Sequence, residues 1–122
     1  MKHAMAPVLL SLALLWGGRA AAQTPAELAA ARQLYEDHAA DIRELQDIGA
    51  WRELIELYHR LIPQLTRRGR EEVRYNIALC YIELGECNVA RRILRSLTRS
   101  RYPSVARNAQ QALGPPCPTP AD

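Results

Sequence analysis

The sequence predicts an all-α protein of stacked antiparallel helical hairpins, and three observations predict it. Apolar residues recur at spacings of three and four along most of residues 25–113, the period of one helix face. No segment alternates with period two, and no Asn-Gly or Asp-Gly hairpin signal occurs. Gly49, Gly85, Pro63 and Pro103 interrupt the helical patterns at intervals, where helices end.

The elements follow in order. Thr24 is placed to cap a first helix over 25–48, with Pro25 at its first position and Glu27 completing a capping box. Leu28, Ala31, Tyr35, His38, Ile42 and Leu45 form its apolar stripe, and Gly49 stops it. Trp51, Leu54, Ile55, Tyr58 and Leu61 mark a second helix ending near Pro63. The Arg-rich stretch 66–70, with Gly69 inside it, reads as a connection. A third helix is expected over about 71–84 and a fourth over about 86–100, separated by Gly85. The residue before Pro103 is pushed out of helical geometry, so a short fifth helix is expected over 104–113, up to Gly114. The Pro-rich end, 115–122, is expected to be an extended tail.

The first 22 residues read as an address. Lys2 and His3 precede an uncharged stretch from Ala4 to Gly18, and Ala20-Ala21-Ala22 supplies small residues before Gln23. That stretch is shorter than the roughly 20 apolar residues of a membrane span, so cleavage after Ala22 would leave an exported chain, periplasmic or secreted, with no stable membrane span. Loss of Lys2 and Arg19 takes the net charge from +3 to +1. That near-neutral balance, with export, argues against nucleic acid as a partner.

Export also governs Cys80, Cys87 and Cys117, since disulfides persist in oxidising compartments. They form no C-x-x-C and have no neighbouring His pair, so neither a zinc site nor thioredoxin-type chemistry is predicted. No Ser–His–Asp set, paired-carboxylate signature or phosphate-cradling glycine loop occurs. His38 and His59 sit on different helices. The expectation is a protein that is not an enzyme and uses no cofactor or metal.

Gly49 and Gly85 lie 36 residues apart, and at that offset Leu54 falls opposite Ala90, Tyr58 opposite Leu94 and Leu61 opposite Leu97. Ile42, Leu45 and Ile48 fall opposite Ala78, Tyr81 and Leu84, so apolar meets apolar at a helical-hairpin period. The segment YNIALCYIELGECNVARRILRSLTRSRYP resembles the tetratricopeptide repeat through Tyr75-Asn76, Tyr81, Gly85, Ala90, Leu94 and Pro103. The following YPSVARNAQQALG looks like the cap helix of envelope tetratricopeptide proteins of Gram-negative bacteria.

That resemblance implies a domain over 23–114, with repeats at about 35–62 and 71–103 and a cap helix at about 104–113. The first repeat departs from the pattern at His38, Asp41 and Ile42, and residues 24–34 extend its first helix. It also implies that the inner face of the third helix binds an extended peptide through Glu72, Tyr75, Asn76, Leu79, Ile82 and Glu83, with Arg43 and Gln46 contributing less. In antiparallel helices the end of the fifth returns to the level of the Gly85 turn. Cys87–Cys117 is thus the favoured bridge; Cys80–Cys87, an intermolecular bridge and no bridge are the alternatives. Cys80 falls at a small buried position of the family.

Charge is divided along the chain. Residues 27–56 carry a net −5 and residues 57–122 a net +6. Arg91, Arg92, Arg95 and Arg99 gather on the fourth helix, as a solvated face or as a basic patch for an anionic surface. The functional expectation is a protein–protein interaction module of the cell envelope that binds a protein or peptide partner. The alternative is electrostatic binding of an anionic envelope component, and head-to-tail self-association into a homo-oligomer is a third reading.

Overall fold

A computed structural model describes residues 24–117, and every regular element among them is helical. These are α1 (Pro25–Ile48), α2 (Trp51–Leu61), a 3-10 turn (Ile62–Gln64), α3 (Arg67–Glu83), α4 (Cys87–Leu97) and α5 (Pro103–Leu113). The protein is all-α. The expected leader, 1–22, and tail residues 118–122 lie outside the described residues.

Local chemistry sets the helix ends. The Thr24 hydroxyl accepts from the Glu27 backbone N–H, and Glu27 Oε1 accepts from the Thr24 N–H, each at 3.1 Å, completing the capping box. Gly49 and Gly85 close α1 and α3 in the left-handed region, at φ 72° and 76°, where a Cβ is strained. The two turns share one hydrogen-bond pattern. Gly49 N–H donates to Gln46 and Ala50 N–H to Leu45; Gly85 N–H donates to Ile82 and Glu86 N–H to Tyr81. The 36-residue offset in sequence is therefore also a repeat of backbone conformation.

One boundary differs from expectation. Residues 66–70 do not connect two helices; α3 begins at Arg67, with Thr66 as its cap accepting from Gly69 N–H at 3.1 Å. Gly69 is tolerated there because it is packed close. A Cβ on it would stand 3.3 Å from Thr66 Oγ1 and 3.4 Å from the Leu65 Cβ. Smaller differences follow Pro103, which opens α5 from inside as its first residue, and α4, which ends at Leu97.

Successive helices pack on one another, and α5 also reaches α3. Side-chain links fix their directions. Ser100, after α4, donates to Glu71 near the start of α3, while Arg68, also in the first turn of α3, donates to Ser104 at the start of α5. Cys87 at the start of α4 is bonded to Cys117 beyond α5. Neighbouring helices in this half thus run antiparallel.

Helix α3 lies at the centre. Its Val73, Ile77 and Cys80 join Ile42, Leu54, Tyr58, Leu61 and Leu65 in one core cluster. Its Tyr75, Ala78, Leu79 and Ile82 join Ala90, Leu94, Leu97, Val105, Ala109 and Ala112 in a second. Burying a large apolar side chain stabilises by about 1.5–3 kcal/mol, so one helix anchors both halves. Small Ala109 and Ala112 on α5 let it approach closely. By contrast α1 buries only Ala31 and Ile42 along its 24 residues.

Candidate functional site

The residues implied for a peptide groove on α3 are in the interior. Glu72 and Asn76 are 2% and 0% exposed, and Tyr75, Leu79 and Ile82 are buried among α4 and α5 side chains. Of the six only Glu83 keeps partial exposure. The physical reason is α5, which packs on α3 as well as α4 and fills the face that an open inner surface would present. These residues do not form an open groove. Arg43 is exposed, and Gln46 is half-buried near the Tyr58 hydroxyl.

The buried polar groups of α3 serve the interior. Arg68 Nε stands 3.6 Å from Glu72 Oε2. Burial pushes the Tyr58 hydroxyl well above its ordinary pKa, with Cys80 adding to the rise and the nearby polar side chains of Asn76 and Gln46 opposing it. Burial, and then the nearby Glu83 charge, push the Cys80 thiol up to about 12. Cys80 is free and buried, and its raised pKa keeps the thiol protonated at neutral pH. His38 Nδ1 lies 2.9 Å from the Leu34 carbonyl and donates back along its own helix.

Cys87 and Cys117 are bonded, 30 residues apart, with Cα atoms 5.8 Å apart. The bond draws the chain at Pro115 and Pro116 over a crevice of about 220 Å³ floored by Ile82, Leu94 and Ala112. Of the alternatives the sequence left open for the cysteines, the favoured pairing is present.

Three surfaces remain open. Arg91, Arg92 and Arg95 on α4 and Arg99 just after it are all exposed, and none forms an ion pair with a described residue. A cleft of about 290 Å³ lies between the start of α3 and the end of α4, lined by Arg67, Glu71, Arg74, Ser96, Arg99 and Arg101. A third opening, of about 460 Å³, runs under the N-terminal half of α1, where Ala30, Ala31 and Leu34 face Leu65, with Glu27 and Asp37 at the rim.

The arginine cleft was not apparent in the sequence. Its signal was the 67, 71, 74 spacing, one face of a helix, hidden because 66–70 read as a loop. Arg52 and Glu86 form an ion pair between residues beside the two glycine turns, a second link across the repeat that sequence patterning missed.

Among the described residues, no group of three His, Cys, Asp or Glu side chains could hold a metal ion, and no helix is long and apolar enough to cross a membrane. No family model, curated protein or solved structure matches the chain.

Proposed function

We propose that the protein is a non-catalytic interaction module of the cell envelope, exported by its leader, that binds a partner protein through the surface of a tetratricopeptide-like hairpin stack. The observation that carries the reading is the segregation of exposed charge on fixed helices. Helix α1 presents Glu36, Asp37, Asp41, Glu44 and Asp47 to solvent, whereas α4 and the turn after it present Arg91, Arg92, Arg95 and Arg99. Charge segregated in this way steers and orients a complementary partner. The identical turns at Gly49 and Gly85 support the repeat resemblance. With the α3 face filled, the partner surface is assigned to α1 and its crevice at Leu34 and Leu65.

A second reading is favoured by the lack of ion pairs between Arg91, Arg92, Arg95 or Arg99 and any described residue. In it they hold an anionic envelope component directly, and moderate salt abolishes the binding.

Photocrosslinking in cells from Asp37, from Arg95 and from Gln110 as a control tests both. A discrete protein adduct from Asp37 supports the partner reading; adducts from Arg95 alone, with lipid or polysaccharide, support the second. Equal yields from Gln110 overturn both. The N-terminus of the recovered chain reports export, with Gln23 expected first.

A further inference from the structure

We propose that the cleft between the start of α3 and the end of α4 is an anion site for a phosphoryl group, held by Arg67, Arg74, Arg99 and Arg101. This goes beyond the partner reading: it uses a different surface and stands or falls separately from the α1 crevice.

Arg67 and Arg74 come from α3, Arg99 and Arg101 from the loop after α4, and the cleft holds one carboxylate, Glu71. That carboxylate is engaged, since the Ser100 hydroxyl donates to its Oε1. The Arg74 guanidinium is held over the cleft by donating to Ser96 Oγ at 2.9 Å, and Ser96 in turn donates to the Ile93 carbonyl at 2.8 Å. One fork is therefore oriented, with N–H donors to spare.

The arrangement opposes what helix stability alone favours. The first turn of α3 has no acid and carries Arg67, Arg68 and Arg70, whereas the positive end of a helix dipole favours anions. Arg70 and Arg74 are four apart on the same helix, a repulsive spacing for like charges. Arg68 is accounted for by Glu72, Ser104 and Tyr102. Arg67 and Arg74, with Arg99 and Arg101, have no ion-pair partner among the described residues. An anion in the cleft offsets the charge of these four, which line it together.

Phosphoryl oxygens fit better than a carboxylate. Arginine forks bind phosphate bidentately, and a dianion with three terminal oxygens can engage several forks at once, where a carboxylate has two oxygens and one charge. The cleft, at about 290 Å³, admits a group larger than phosphate itself. Such a group is carried by a soluble phosphate ester or by a lipid headgroup.

The test uses the chain purified from cells that process and oxidise it. Inorganic pyrophosphate is titrated at fixed ionic strength while the amide and arginine Nε–H resonances are followed by NMR. Saturable shifts confined to residues 67–74 and 96–101 are expected. Arg74→Gln combined with Arg99→Gln should weaken binding at least tenfold. The matched pair Arg60→Gln and Arg107→Gln, both exposed and outside the cleft, with the same charge change, should leave it within twofold. Shifts spread over all arginines, equal loss in both pairs, or equal shifts with acetate overturn the proposal.

Vesicles of phosphatidylcholine with and without phosphatidylglycerol distinguish the source. Pyrophosphate binding without vesicle binding assigns the group to a soluble ester. Phosphatidylglycerol-dependent vesicle binding lost in the Arg74/Arg99 pair assigns it to a lipid. Binding to neither overturns the site. Unchanged helical circular dichroism and thermal midpoint in the double variants separate loss of the site from loss of the fold.

Discussion

Arg68 and Ser104 join the first turns of α3 and α5, the guanidinium donating to the hydroxyl at 2.8 Å. The same side chain sets its Nε 3.6 Å from Glu72 Oε2 and its guanidinium carbon 5.3 Å from the centre of the Tyr102 ring. One arginine therefore bridges the central helix, the last helix and the loop between α4 and α5. Glu72 is buried, and removing a partner from a buried carboxylate is strongly unfavourable. Arg68→Ala should lower stability by about 2–4 kcal/mol in urea denaturation. Arg92→Ala, exposed and without an ion pair, should stay within about 0.5 kcal/mol. Equal effects for the two would show that Arg68 contributes nothing beyond surface charge.

The Cys87–Cys117 bond stabilises chiefly by restricting the unfolded chain. Its 30-residue separation gives about 3–4 kcal/mol in the loop-closure treatment. Reduction, or the double change Cys87→Ser and Cys117→Ser, should lower the unfolding free energy by about that amount. Hydrogen exchange should rise first in residues 112–117, which the bond holds against α4. Cys80→Ser should not alter the bridge, because Cys80 is free and buried.

High pH should weaken the fold through two named groups. Cys80 has its pKa raised above the ordinary 9.0 to about 12, and Tyr58 is raised above its ordinary 10.0, both first by burial. The folded state keeps protons that the unfolded state releases. Their contribution is intact below about pH 9 and is lost as pH rises toward and through the folded values. Above about pH 9 Cys80 should steepen the fall toward a limit of about 1.4 kcal/mol per pH unit, with Tyr58 joining above about pH 10. Denaturation midpoints across pH 7–10.5 check this. Cys80→Ala should flatten the slope even though the lost side chain lowers the starting stability.

The helix count, the glycine turns, the caps at Thr24 and the fold class were legible because each rests on local chemistry. A capping box, a left-handed glycine and a three-four stripe are written within one or two turns of chain. What was not legible is set by distant segments. Whether Tyr75, Leu79 and Ile82 line a groove or a core depends on where α5 lies, and no property of α3 encodes that. Apolar residues on α3 are consistent with both outcomes. The start of α3 was missed for a related reason: Gly69 and three arginines argue locally for a loop, while Thr66 and the close packing of Gly69 on Leu65 decide for a helix. The disulfide was within reach because antiparallel hairpins return chain ends to a known level.

The buried α3 face also yields a discriminating prediction. Leu79 packs in the cluster with Leu94, Leu97 and Val105, so Leu79→Ala should cost about 2–5 kcal/mol, as large-to-small changes in cores do. Tyr75→Ala should destabilise comparably. Both should lower crosslinking to any partner only in proportion to the unfolded fraction, and cooling or the intact disulfide should restore it. A change at an exposed contact should behave in the opposite way. Asp37→Ala or Arg95→Gln should leave the urea midpoint within about 0.5 kcal/mol while altering adduct yield. If Leu79→Ala kept full stability and still lost the adduct, the α3 face would have to open in the bound state, and α5 would be the element that moves, since it covers that face.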